Sequence, residues 1–484
     1  MVKKVVHKNY ILLIVAIAQF MVVLDTSIVN VALPSIYKSL QYTSASSLQW
    51  IVTAYTLAFG GFLLLGGRAA DLFGRKRMFL AAVTMFTILS FLCGVAQNPT
   101  MLNATRALQG LTAAFMSPAA LSIILTTFKE GKERAKALSV WGAVAASGAA
   151  VGVLLGGILT QYLDWRWNFF VNVPVGIAVF FMAWHYVPES KADLDHNQLD
   201  LPGAVSVTVG LMSLVYAITQ APSKGWTGSE TLLFFGLAIV LLAFFIWNEA
   251  RSKHALMPLR IFKVGNVAPA NVAQLPMVAA MFAMFFFISL YVQQILGYSP
   301  VKTGLSFLPV PFVIGIVATN MAKIVGKIGY KIPIVTGALF VSAGLFYMSH
   351  ITVDGSYWTH VFPGLVITAL GMGQIFISVT IAATSGVPHH ESGLASGLLN
   401  TSQQIGGALG LAILSGIATS TALSYAAAHA SDASSIHASA MAAQVHGYHN
   451  ALLVGALFPL ITATVAARFI KVYDIKESDV PAAL

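Results

Sequence analysis

The residue with the clearest chemical potential is Asp25, in the stretch Leu24-Asp25-Thr26-Ser27-Ile28-Val29-Asn30-Val31-Ala32-Leu33-Pro34. This stretch closes an apolar run that begins near Tyr10 and is long enough to cross a bilayer, for which about 20 residues suffice. A charged side chain at membrane depth costs roughly 3 kcal/mol on insertion scales, so it is seldom placed there without a use. Carboxyls removed from water can load and release protons, which makes Asp25 the candidate carrier if the protein moves protons. The bland alternative is a structural carboxylate satisfied by hydroxyls such as those of Thr26 and Ser27. Arg106 lies inside another apolar run. It could neutralise Asp25, since buried charges need partners.

Fewer residues qualify for binding a cargo. Tyr55, Gln109, Asn400 and Gln403 are polar residues inside apolar runs, where facing the bundle interior is favoured. Phe282-Ala-Met284-Phe285-Phe286-Phe287-Ile-Ser-Leu-Tyr291-Val-Gln-Gln294 is an aromatic and Met stripe. Such a stripe usually packs or faces lipid, although polarisable Met and aromatic faces also suit hydrophobic cations and amphiphiles. Asn30, Phe287, Tyr291 and Gln294 complete the expected substrate cavity, with Tyr291 and Gln294 better placed than the phenylalanines.

The elements that must position these side chains are membrane helices. The chain has 484 residues, 57% hydrophobic and 9% charged, which leaves no room for a sizeable soluble domain. Windows of about 20 apolar residues predict fourteen helices near 10–33, 48–67, 78–97, 101–126, 135–160, 168–187, 202–220, 231–249, 267–294, 303–322, 332–350, 359–381, 394–419 and 449–470. With the N-terminus inside, only Lys38, Arg166, Lys224 and Lys302 fall on outer segments, and Arg106 within a helix. The rest of the 27 Lys and Arg residues lie inside. This asymmetry predicts an even helix count with both termini cytoplasmic, and it explains the net charge of +10 without nucleic acid. The first run is too long for a signal peptide and is expected to be retained as a helix.

Two segments break the helical pattern. Pro188 to Leu201 is acidic and polar, and reads as a linker. Thr421 to Asn450, rich in Ala, Ser and His, reads as a long outer loop, with short helices one form it could take. The expected domains are therefore 1–187, a six-helix bundle; 188–264, the linker and two additional helices; and 265–484, a second six-helix bundle. Short basic turns at Gly67–Arg77 and Lys323–Lys331 occupy corresponding positions and point to an internal repeat.

At the Gly67–Arg77 turn the chain resembles the signature loop of the major facilitator superfamily, matching at Gly67, Ala70, Asp71, Gly74, Arg75 and Lys76 and departing at Ala69 and Leu72. Residues 24–36 are similar to the helix-1 signature of its fourteen-helix drug:proton antiporter branch, and Arg106-Ala-Leu-Gln109-Gly110 to the helix-4 element. Gly148-Ala-Ala-Val-Gly152-Val153-Leu-Leu-Gly156-Gly157 resembles the helix-5 antiporter motif, with Val153 where that motif has Pro. The segment Asp164–Gly176 looks like that branch's entry into helix 6.

The resemblance implies an all-α major facilitator fold, two six-helix bundles plus two extra central helices. It also implies proton-coupled export of amphipathic or cationic drugs across the bacterial cytoplasmic membrane by alternating access, by a monomer. Asp25 would carry the proton and Arg106 would help set when it leaves. Asp71 and its loop would latch the outward-open state, and Gly148, Gly152, Gly156 and Gly157 would form a pliable seal against proton leak. The bland reading of these glycines is close helix packing.

Two rivals remain. One keeps the fold and exports a lipid or native metabolite, which the single intramembrane acid favours. The other is a membrane-embedded enzyme. Against it, all twelve His are expected in loops, tails or helix ends, with His389-His390 beside Glu391 in a cytoplasmic loop, and Cys93 is the only cysteine, so no metal site is expected. The chain has no G-x-x-x-x-G-K-[ST] nucleotide loop. The energy source is then expected to be an ion gradient, with protons, small amphipathic substrates and the bilayer as partners and no cofactor.

Overall fold

The structure, a computed structural model, describes residues 8–128, 132–191, 199–252, 255–387, 392–429 and 436–472. Among these, thirteen helices are long and apolar enough to cross a membrane. A fourteenth, Lys132–Tyr162, runs 31 residues beside them. In chain order they are α1 (Lys8–Ser39), α2 (Trp50–Phe73), α3 (Arg75–Gly94), α4 (Pro99–Thr127), α5 (Lys132–Tyr162), α6 (Trp167–Tyr186), α7 (Leu201–Lys224) and α8 (Ser229–Arg251). Then follow α9 (Val267–Ile295), α10 (Pro300–Met321), α11 (Lys331–Ser349), α12 (Tyr357–Thr384), α13 (Ser392–Ala428) and α14 (Ser439–Phe469). In lipid only a helix satisfies its own backbone, which is why every long apolar run adopts this form.

Helix for helix, α9–α14 repeat the packing of α1–α6. Helix α1 packs on α5 as α9 packs on α13. The pairs α2·α4, α3·α4 and α3·α6 recur as α10·α12, α11·α12 and α11·α14. The repeat extends to the turns. Gly74, between α2 and α3, has φ +106°, and Gly329, between the tenth and eleventh helices, has φ +76°, a region open to glycine at little cost. Helices α7 and α8 pack on each other, and α7 lies against both α2 and α13.

The two sets of helices meet where small residues let backbones approach, as expected without a hydrophobic drive between helices. A Cβ on Gly157 of α5 would stand 2.6 Å from Pro300 O and 2.9 Å from Val301 Cα of α10, and one on Gly304 would stand 2.7 Å from Val153 O. Ser289 donates to Asn30 O (2.8 Å) and Gln293 to Val31 O (2.8 Å), tying α9 to α1. The bundles also meet along α2 and α13, where a Cβ on Gly60 would stand 2.7 Å from Gln404 Cβ and one on Gly397 2.8 Å from Leu64 Cδ2. Further along α5 and α10, Ser147, Ala150, Leu308, Pro309, Phe312 and Phe362 line an apolar crevice of about 940 Å³ instead.

The described residues of the expected outer loop at 421–450 are nearly all helical, and the helices are long ones. Helix α13 continues to Ala428, and a helix resumes at Ile436 and runs to Gly455. Alanine is the strongest helix former, and its modest hydropathy hides the helix from an apolar window. His446 consequently sits within a helix, not in a loop as expected, and His449, expected at a helix start, lies inside that helix. His389, His390 and Glu391, and residues 192–198 of the linker, lie outside the described residues.

Candidate functional site

Asp25 and Arg106 meet in the middle of the first bundle. Arg106 Nη1 donates to Asp25 Oδ2 at 2.5 Å, and both side chains are fully buried. Arg106 and Gln109 share a face of α4, three residues apart. Gln109 Nε2 donates to Asp25 Oδ1 (3.0 Å) and to Ser90 Oγ (2.7 Å). Asn172 of α6 adds a third donor to the carboxylate at 3.2 Å. Arg106 is itself held by Gln109 Oε1 (2.6 Å), by Ile51 O (3.0 Å), and by the Tyr55 ring, whose centroid lies 4.3 Å from its guanidinium carbon. Five helices, α1, α2, α3, α4 and α6, thus contribute to one cage. The adjacent Gly110 makes this possible, since any Cβ there would strike the Tyr55 backbone of α2.

The pair is closed off from water in this conformation, and its net charge is zero. Two polar atoms around it, Tyr55 Oη and Asn172 Oδ1, have no hydrogen-bond partner among the described residues. Releasing the Asp25 carboxylate to exchange a proton requires the Arg106 contact to part. Chemically the cage is a place where an acid and its counter-charge can be swapped for an acid and a proton.

The Gly67–Lys76 turn forms a second cluster. Asp71 accepts from Arg75 (2.8 Å), whose Nε also donates to Ser122 Oγ of α4 at 2.6 Å. Glu189, just past α6, accepts from the Lys76 backbone N–H at 3.1 Å and lies 3.6 Å from Arg77. The Arg75 N–H donates to Ser190 O (2.9 Å), and Lys76 Nζ donates to Trp184 O (2.7 Å). A Cβ on Gly67 would only touch Pro118 at 3.6 Å, whereas one on Gly74 would press on the Glu189 carboxylate at 2.7 Å.

The helix-5 glycines divide between two neighbours. Gly148 faces Phe20 and Val23, Gly152 faces Ser27 and Leu24 O, and Gly156 faces Ile28, so these three seat α5 against the helix that carries Asp25. Gly157 faces α10 across the join between the bundles. Helix α5 is continuous through Val153.

The remaining cavity candidates fall into separate groups. Tyr55 and Gln109 belong to the Asp25 cage. Asn30 is half-buried and donates to Thr26 O of its own helix. Phe287 packs on Tyr448 (centroids 5.7 Å apart), whose hydroxyl donates to Gln294 Oε1 at 3.2 Å, and Tyr291 donates to Thr352 O at 2.8 Å. Asn400 is exposed and Gln403 half-buried on α13. Sequence reading missed Ser90, Ser122, Asn172 and Glu189. Asn172 lies within a quoted motif, Asp164–Gly176, and could have been singled out as a polar residue entering an apolar run.

A model of the Major Facilitator Superfamily matches residues 15–411. The puromycin resistance protein of Streptomyces alboniger is 38% identical over 94% of this chain and 90% of its own length. The cephamycin export protein of Amycolatopsis lactamdurans is 38% identical over 87% and 88%, and the multidrug resistance protein Stp of Mycobacterium tuberculosis 34% over 82% and 73%. Among solved structures, an inward-facing, occupied bacterial homologue of the human lysosomal transporter Spinster superposes with TM-score 0.66 at 17% identity, covering 96% of this chain and 97% of that one. An auto-inhibited peptide transporter of the POT family reaches 0.68 at 15% identity, covering 97% and 98%. Both show the shared fold.

Proposed function

This chain belongs to the Major Facilitator Superfamily, and on that footing we propose that it exports amphipathic small molecules, antibiotics among them, in exchange for protons. It is a multi-pass membrane transporter and not an enzyme. The observation that carries the coupling is the buried Asp25 carboxylate, whose Arg106 partner can substitute for a bound proton. In one state Arg106 neutralises the acid. In the other, a proton does so, and Arg106 is free to reorient with α4 as the bundles rock. Both termini lie on the cytoplasmic side in this reading, as the Lys and Arg distribution favours. The contacts at Gly157, Gly304, Ser289 and Gln293 then lie toward the outer end. The names of the relatives, resistance and export proteins for antibiotics, support the cargo class.

A lipid or lipid-like metabolite is the second reading. The crevice between α5, α10 and α12 favours it, because the lining is apolar and Phe312 and Leu305 on its rim are exposed where bilayer chains would lie.

Proton release from the purified protein on addition of puromycin, compared between wild type and Asp25→Asn, tests the coupling. Release in the wild type and none in the variant is the expected outcome. Equal binding without release in both would remove Asp25 from the coupling step and bring the lipid reading forward.

A further inference from the structure

A second pair of acids stands apart from the Asp25 cage, on the two helices between the bundles. Asp200 precedes α7 and caps it, its Oδ1 accepting from the Gly203 N–H at 2.8 Å. Glu249 lies near the end of α8, and the antiparallel pairing of α7 and α8 brings the two together. Both are buried, Asp200 with 6% of its surface exposed and Glu249 with 3%.

Their hydrogen bonds are unequal. Asn248 Nδ2 donates to Asp200 Oδ1 (2.9 Å) and Oδ2 (2.7 Å), so both oxygens of that carboxylate are supplied. Glu249 Oε2 accepts from the Met257 N–H at 2.7 Å. Glu249 Oε1 has no donor among the described residues. It is aimed at the other acid: a Cβ built on Gly203 would lie 2.8 Å from both Asp200 Oδ2 and Glu249 Oε1. The two carboxyls therefore flank the same point beside Gly203.

Among the described residues, no ion pair offsets the two charges. Arg251 stands over the Trp247 ring at 5.1 Å. No ion pair joins Arg251 or Lys263, two described basic residues on the flanking elements, to either acid. The groups that bear on Glu249 are the Asp200 carboxylate and the N–H groups of Leu256 and Met257. Two bare carboxylates in contact away from water repel strongly, and sharing one proton removes the repulsion. The one oxygen without a donor is where that proton belongs.

We propose that Asp200 and Glu249 hold one proton between them, as a second proton-binding site at the α7–α8 hairpin. The proton sits on Glu249 Oε1 and is donated to Asp200 Oδ2. Glu249 Oε2 is left to hold the Met257 N–H. Met257 packs with Ile261, Val267, Ala395 and Leu398, where the chain enters the second bundle and α13 begins. The proton therefore fastens the hairpin to the segment leading into α9, and its loss would free that segment. This site depends neither on the cargo nor on Asp25.

The test is infrared spectroscopy of the full-length protein in lipid nanodiscs, reading the C=O stretch of protonated carboxyls at neutral pH. The wild type should carry a band that disappears in Glu249→Gln and survives in Asp25→Asn. In Asp200→Asn, a second variant should Glu249→Gln fail to fold, the band should shift because its acceptor has changed. Identical spectra for wild type and Glu249→Gln, or an unshifted band in Asp200→Asn, would overturn the proposal. So would loss of the band on adding Na⁺ or Ca²⁺ at fixed pH, which would make the pair a metal-cation site.

Discussion

At the scale of single residues, the first bundle is built around a charge pair that membrane insertion disfavours. Asp25 and Arg106 tolerate burial because every oxygen and most of the guanidinium find partners: Gln109, Asn172, Ile51 O and the Tyr55 ring. Breaking a buried pair leaves the survivor uncompensated, at a cost of about 3–5 kcal/mol. Arg106→Leu should therefore lower thermal stability in detergent by that order, and pairing it with Asp25→Asn should restore a large part. A double variant as unstable as the sum of the single ones would mean that the two side chains do not share one interaction.

At the scale of elements, glycine decides how close helices come and where they turn. The α2–α3 turn needs φ +106° at Gly74, and Glu189 closes over it from beyond α6, tying the turn to the chain that leaves the first bundle. Alanine at Gly74 meets a backbone penalty of roughly 1–2 kcal/mol and crowds the Glu189 carboxylate as well. Gly67, one helix turn or more away, has only Pro118 within van der Waals distance. Gly74→Ala should then reduce transport in vesicles several-fold while Gly67→Ala retains it, at equal expression. Equal activity of the two variants would detach the turn's geometry from transport.

At the scale of the molecule, two bundles with the same internal packing meet where α1 and α5 face α9 and α10, and again along α2 and α13. Such a join can open without rebuilding either core, which is the mechanical requirement for alternating access. Gly157 has no room for a side chain beside Pro300 and Val301. Gly157→Leu should hold α5 and α10 apart and cut transport in vesicles several-fold at equal expression. Transport at the wild-type rate would show that the bundles need not close there.

Much of this was legible from the chain alone. Helix number, the Asp25–Arg106 candidates and the short basic turns follow from local facts: the length of apolar runs, the rarity of a charge inside one, and glycine's freedom at a tight turn. The Ala-rich helix through 436–455 escaped because hydropathy measures lipid affinity, whereas alanine forms helix by propensity. Tertiary structure alone decided which polar residues answer Asp25. Asn172 and Ser90 lie far from it along the chain, and only the packing of five helices brings them to its cage. The same holds for Asp200 and Glu249, ordinary helix-end acids in sequence that the α7–α8 hairpin brings to the same glycine, Gly203. Partnership of buried charges is set by which helix faces which, and no local property of a sequence encodes that.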